Sequence, residues 1–311
     1  SSGQLIAAGS PIPTGIGGLD PIMDGGLSKG ELGIVLAALG VGKTTILTKI
    51  ANHAKNCGMN VVQIFFEDLP KQVQRKHYAC WCEDINIKDL GAPENLEYVK
   101  KTIKEKDEAG GGLKLNKMSG FDTTIPKIKK YLKSLISQGF KPDMVVIDYI
   151  DKVQPSRKYD DNNVAEGNTM SEFESMLMEF DIAGWTAIQG NRSSINSEFV
   201  ETDQMGGSIK KAQIGHFIMS VAKSLEQRDN NTANIAILKS RFGDDGLTFE
   251  DVEFNNGTVQ IDMTKKGAKT FLETKEHKEV KKQAHLNDMF KKFEEKKIQE
   301  RNGQRDAMTD I

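Results

Sequence analysis

The 311-residue sequence is short of cysteine, with Cys57, Cys80 and Cys82 alone and no Cys-x-x-Cys pair. An odd, low count at that spacing excludes a disulfide framework and a cysteine zinc site, and the expectation is reduced thiols in a cytoplasmic protein. The five histidines are scattered, without a His-x-x-x-His pair, and are assigned no chemistry. No apolar run is long enough to span a bilayer, and no charged start leads into an apolar segment as in a signal peptide. No membrane partner is expected. Strong charge of one sign is also missing: the net charge is −2. That balance excludes a histone-like basic binder, so any nucleic acid must be held by local loops. No internal repeat occurs at solenoid or propeller periods.

What is present is an alternation of short apolar runs and amphipathic stretches. ELGIVLA (31–37) reads as a buried strand that enters a Gly-containing loop and then a helix from about Lys43. VVQIFF (61–66) and MVVIDYI (144–150) read as further buried strands. Residues 123–139 and 170–184 have helical apolar spacing; WTAIQ (185–189), FIMSVAKS and TANIAILKSR read as strands. Such alternation predicts an α/β fold with a mostly parallel twisted sheet covered by helices on both faces. Ligands gather at the carboxyl ends of strands in these sheets. The loop at 37–44, Glu67, Asp148 and Gln189 follow four different strands there.

AALGVGKTT (37–45) carries the Gly-Lys-Thr of a phosphate-binding loop. Ala38, Leu39, Gly40, Val41, Gly42, Lys43, Thr44 and Thr45 are the expected nucleotide contacts. Gly40 and Gly42 let backbone N–H groups turn inward at phosphate, and the following helix presents its N-terminus to the same anion. Lys43 reaches the β- and γ-phosphates, and the Thr44 hydroxyl ligates Mg2+. Ala37 stands where the motif has its first glycine. Asp148, ending an apolar run, is the expected acid on the Mg2+ side. Glu67 is the candidate to orient and deprotonate the attacking water, with Asp68 its competitor. Gln189 is placed to sense the γ-phosphate through its amide. A strand-end acid facing solvent and a satisfied amide are the plain alternatives for Asp148 and Gln189.

PIPTGIGGLDPIMDGGLSKGELGIVLAALGVGKTT (11–45) resembles the start of the motor domain of DnaB-type hexameric replicative helicases. IFFED (64–68), VVIDYI (145–150), AIQGNR (187–192) and KSRFG (239–243) continue the resemblance in the family's order. It spans about residues 11–263 and is most similar to the phage branch. It implies a RecA-like P-loop ATPase, active as a ring of six, that moves on single-stranded DNA and unwinds duplex with ATP or another NTP and Mg2+. By resemblance Lys43 and Thr44 bind phosphate and metal, Glu67 is the catalytic base, Asp148 the metal acid and Gln189 the coupling glutamine. Lys239 and Arg241, expected on one face of a strand, are then the lysine and arginine that reach the neighbouring subunit's γ-phosphate; simple solvation of an edge strand is the alternative. RadA-type proteins are similar at KSRFG and KaiC-type ATPases at PTGIGGLD. A RadA- or KaiC-like ATPase and a nucleotide-gated assembly module are therefore the competing readings.

Residues 1–12 are expected to be a linker remnant, 13–264 the motor, and 265–311 a charged helical tail. The expectation is either a fragment of a longer chain or a minimal motor, because nothing here resembles that family's N-terminal domain. Two polar loops, 151–167 and 191–211, offer Lys152, Arg157, Lys158, Arg192, Lys210 and Lys211 to a DNA backbone, with solvated loop charges as the plain alternative. The tail from 265 onward has thirteen Lys/Arg against nine Asp/Glu. Leu286, Phe290 and Phe293 form a short apolar stripe there, suited to a neighbour, a primase or a helicase loader.

Overall fold

The computed structural model describes residues 5, 7, 9–191, 197–201, 209–243, 245–270, 272–274, 276, 279, 280 and 283, with the backbone alone at 209, 210 and 212. Arg192, the Lys210 side chain and the stripe of Leu286, Phe290 and Phe293 lie outside the described residues. The chain divides into two units, Ser1–Ala268 and Lys269–Ile311. In the second, Thr270 and Glu273 exchange side-chain and backbone hydrogen bonds, Thr270 N–H to Glu273 Oε2 at 2.7 Å and Glu273 N–H to Thr270 Oγ1 at 3.2 Å. All else below concerns the first.

Its strands are β1 (Leu32–Ala37), β2 (Val61–Phe65), β3 (Leu113–Lys117), β4 (Met144–Asp148), β5 (Ala183–Gln189), β6 (Phe217–Ala222), β7 (Thr232–Ser240), β8 (Leu247–Asn255) and β9 (Gln260–Asp262). Its helices are α1 (Lys43–Asn56), α2 (Pro70–Cys82), α3 (Leu96–Glu108), α4 (Ile125–Ser137), α5 (Asn162–Phe180), α6 (Ile209–Ile214) and α7 (Leu225–Asp229). The sheet order is β8-β7-β6-β1-β5-β4-β2-β3, with β9 on β8. From β6 to β3 every pairing is parallel; β7, β8 and β9 add on antiparallel. The parallel α/β expectation from the sequence is therefore met, and an antiparallel flank is added.

Burial follows from that topology. β1, β2 and β4 are buried along their whole length, because helices cover both faces. On one face Ile46, Leu47, Ile50, Ala51 and Ala54 of α1 pack against Val35, Val146, Trp185 and Met219. On the other, Ile128 and Leu132 of α4 and Phe173 and Leu177 of α5 pack against Ile34, Ile64, Ile147 and Ile188. At Gly33 a Cβ would stand 2.5 Å from the Trp185 ring, so the central strand gives up a side chain to let that indole fit. β3, the parallel edge, is only half-buried and carries Lys114 and Lys117, which blunt the edge against stray pairing. Helix starts are set locally. Thr124 Oγ1 accepts from Lys127 N–H ahead of α4, and Ser224 and Gln227 form a capping box on α7.

Residues 162–167, expected in a loop, are the first turns of α5, where the Asp161 carboxylate accepts the Asn163 N–H at 2.7 Å. Ile12, expected in a linker, is buried in the core and exchanges backbone hydrogen bonds with Leu27. Cys57, Cys80 and Cys82 are buried free thiols. Among the described residues no helix is long and apolar enough to cross a membrane.

One polar pin joins α1, β2 and α2 inside this apolar layer. His77 Nε2 lies 2.8 Å from Gln63 Oε1 and its Nδ1 lies 3.1 Å from Asn52 Nδ2. Because Asn52 Nδ2 can only donate, the neutral ring carries its proton on Nε2 and donates to Gln63. Burial holds the His77 pKa down at about 3, and the nearby Lys76 adds to this. The native ring therefore stays neutral where the unfolded ring takes a proton, so its stability contribution is full above pH 6.5 and is lost as pH falls toward 3. Urea unfolding from pH 7 to 4 should show a midpoint falling with acid, and His77→Gln should reduce the slope by about one proton; an unchanged slope would refute the pin.

Candidate functional site

Parallel strands that share a direction must end together, and four of them bring the polar candidates to one edge. Ala37 is level with Gln189 across β1 and β5, and Phe65 with Asp148 across β2 and β4. The chain then turns from each strand end into a cleft of about 310 Å3. It is lined by Gly40, Gly42, Lys43, Thr44 and Thr45, with Glu67, Asp68, Asp148 and Gln189 facing them.

The phosphate loop is shaped by Gly42, whose φ of 131° is open to glycine and strained for other residues. A Cβ there would also stand 2.6 Å from Asn256 Oδ1 and 2.7 Å from the Phe254 ring. Asn256, just past β8, braces the loop: Thr45 Oγ1 donates to its Oδ1 at 2.6 Å and its Nδ2 donates to Val41 O at 3.4 Å. Ala38 and Val41 are buried beneath the loop and Leu39 is exposed at its tip. Gly40 has a φ of 74°. α1 begins at Lys43, so its first N–H groups open onto the same space.

Lys43 is 8% exposed. Its Nζ donates to Gln189 Oε1 at 3.4 Å and lies 5.0 Å from the centre of the Tyr149 ring. Desolvation pushes its pKa down, opposed by Asp148, Asp151 and Glu67. Asp148 is buried too, and desolvation raises its pKa to about 6 against the hydrogen bond from Thr44. Thr44 and Asp148 thus line the same cleft beside the loop. Among the described residues no cluster of three His, Cys, Asp or Glu could hold a metal. A hydroxyl and one carboxylate fit Mg2+, which keeps several waters and draws further ligands from phosphate.

Glu67 is exposed at the rim. Lys152 Nζ meets its Oε1 at 2.7 Å, and Tyr149 O–H donates to the same oxygen at 3.4 Å. Asp68, the competitor, is paired with Lys76 Nζ at 2.6 Å. Gln189 N–H donates to Asp151 Oδ2 at 3.0 Å. The site thus holds an anion cradle, a cation-compatible pair and a positioned carboxylate in one cleft.

The other sequence candidates divide. Lys239, near the end of β7, donates to Gln213 O at 2.7 Å, and exposed Arg241 follows in the turn. Ser240 is level with Phe217, and Phe217 with Gly33, so this end of β7 meets the amino ends of the parallel strands. The phosphate loop begins beyond Ala37, roughly 13 Å farther along the sheet at 3.3 Å per residue. Arg157 and Lys158 are exposed. Lys152 is engaged by Glu67, and Lys211 is 2% exposed with its ammonium between Asp151 and Glu166. Tyr149, Asp151 and Asn256 are site residues that sequence reasoning missed. The Asn-Asn-Gly turn after β8 is a hairpin signal, but nothing local says that it folds against a loop two hundred residues earlier.

The DnaB-like helicase C-terminal domain model matches residues 11–262. The DnaB-like replicative helicase of Enterobacteria phage T4 is 25% identical over 235 residues, which are 73% of this chain and 49% of that protein. This chain therefore spans about half the length of that curated relative. A solved DnaB-like replicative helicase, described with its interactions with primase, superposes with a TM-score of 0.70 at 16% identity, over 82% of this chain and 62% of its own. The solved ATPase domain of the protein named G40P gives 0.68 at 17% identity, over 84% of this chain and 93% of its own.

Gly42→Ala should lower affinity for a fluorescent Mg2+-nucleotide by at least about tenfold, from the strained φ and the contact with Asn256. Binding at wild-type strength in a titration would show that this loop does not cradle phosphate.

Proposed function

This chain belongs to the DnaB-like helicase C-terminal domain family, and on that premise we propose that it is the ATP-hydrolysing motor of a replicative DNA helicase. The observation that carries the proposal is the separation between two sets of groups. The phosphate cradle, Asp148, Glu67 and Gln189 stand at one edge of the sheet; Lys239 and Arg241 stand at the other. The finger cations of one chain cannot serve its own cradle, and a neighbour in a ring can receive them.

In this reading Lys43 and the backbone of 38–45 grip the β- and γ-phosphates of ATP or another NTP. Thr44 and Asp148 would hold Mg2+, which would supply neutralisation of phosphate charge. Glu67, steadied by Lys152 and Tyr149, takes the proton of the attacking water. Gln189 touches Lys43 and senses the γ-phosphate through it. Arg241 of a neighbouring subunit, with Lys239, stabilises charge on the γ-oxygens, and making that contribution in trans converts hydrolysis into movement between subunits.

The motor is assigned to 13–264, and the ring to six copies. Arg157 and Lys158, with Arg192 and Lys210, are assigned to the single-strand backbone, where phosphate contacts carry no sequence information and so suit translocation. Lys152 and Lys211 are assigned instead to the chain's own carboxylates. A solved DnaB-like helicase is described with primase, and a primase is the partner class proposed here. The setting is the cytoplasm of a bacterium or a phage-infected host.

Phosphate release per chain should rise with both protein concentration and single-stranded DNA, and the protein should displace a strand from a fork. Release indifferent to both would refute the motor. Hydrolysis without strand displacement would favour a RadA- or KaiC-like ATPase. Arg241→Ala should keep nucleotide affinity within about twofold while turnover falls by roughly 10³-fold. Lost binding with normal turnover would overturn the role given to Arg241.

A further inference from the structure

We infer that Lys211 is a positioning residue that ties the sensing glutamine Gln189 to the finger lysine Lys239 through helix α6. The inference rests on the site reading above and deepens it by naming how one chain links the two edges of its sheet.

The link is continuous. Gln189 Oε1 accepts from Lys43 Nζ at 3.4 Å, and Gln189 N–H donates to Asp151 Oδ2 at 3.0 Å. The other oxygen of the same carboxylate, Oδ1, accepts from Lys211 Nζ at 2.8 Å. A carboxylate is planar, so a shift of the Gln189 backbone turns Asp151 and displaces the group bonded to its far oxygen. Lys211 is also 2.5 Å from Glu166 on α5, which holds it from a second side. It is almost wholly buried, and a buried ammonium that loses its partners has no water to replace them. Burial alone would lower its pKa, yet Asp151 and Glu166 outweigh burial and the ammonium is kept charged.

Lys211 sits on α6, a six-residue helix about 9 Å long at 1.5 Å per residue. The last carbonyls of a helix have no partner within it, and a cation there is favoured by the aligned peptide dipoles. Lys239 supplies that cation, donating from Nζ to Gln213 O at 2.7 Å. α6 is therefore held by a buried charge near its middle and by Lys239 at its carboxyl end. Beside that end, His216 N–H donates to Leu32 O and Arg241 N–H donates to His216 O, which seats the finger turn against the start of β1. Neither link is legible as a pattern: Lys211 is 60 residues from Asp151, and Lys239 is 26 from Gln213.

Amide hydrogen exchange tests the link without needing hydrolysis. In Lys211→Met, and separately in Lys239→Met, the Gln189 amide should exchange about tenfold faster than wild type, while the Ile147 amide in β4 keeps its wild-type rate. Lys211→Arg, which can still donate to both carboxylates, should restore slow exchange. A wild-type Gln189 rate in Lys239→Met would overturn the link between the edges. Equal acceleration of Ile147 and Gln189 in Lys211→Met would reduce Lys211 to a general stabiliser and overturn its positioning role. A chain with no DNA-stimulated turnover would refute the motor alone, because the exchange rates are read in its absence.

Discussion

The site depends on keeping an ammonium out of water. Lys43 is placed where α1 starts and four strands end, and burial there works against its charge. Asp148, which lines the same cleft, suffers the same desolvation in the opposite sense, toward the neutral acid. Neither group is comfortable alone, and the surrounding acids, the Tyr149 ring and the Gln189 amide only partly offset the cost to Lys43. A phosphate chain with its metal would supply what both lack. Desolvation of both groups therefore favours a ligand that brings negative charge to Lys43 and a cation to Asp148.

Direction in the sheet decides the rest. Parallel strands put the cradle, Glu67, Asp148 and Gln189 on one edge, and the crossover helices that make them parallel also wall off both faces. β7 reverses direction beside β6, so the residues at its end emerge at the opposite edge. That one reversal separates positive groups from the anion they would stabilise. A division of labour between neighbouring copies is the arrangement such a sheet permits, and α6 gives each copy a path between its two edges.

Much of this was legible in the sequence. The buried strands stand within a residue or two of where apolar runs placed them, because β1, β2 and β4 are buried throughout and leave an unbroken apolar signal. Lys43, Glu67, Asp148 and Gln189 converge because each is tied to the end of such a strand. What was not legible has a common cause, which is dependence on distant partners. LKLNK has no apolar run and drew no assignment from the sequence, yet it pairs with β2 as an edge strand. The first turns of α5 set Val164 and Ala165 among polar residues and a glycine, without a long apolar stripe, and the Asp161 cap is the local cue that they are helical. Lys211 looks like any loop lysine until Asp151 and Glu166 are folded around it. Asn256 is an ordinary turn residue until the β8 end is laid against the phosphate loop.

The central claim is that one catalytic centre is built from two copies, and mixing two inactive variants tests it most directly. A Lys43→Ala chain keeps its finger and loses its cradle; an Arg241→Ala chain keeps its cradle and loses its finger. Randomly mixed rings should regain DNA-stimulated phosphate release to about a quarter of the wild-type rate, since one in four interfaces joins an intact cradle to an intact finger in a cyclic assembly. A mixture no more active than either variant alone would contradict the account.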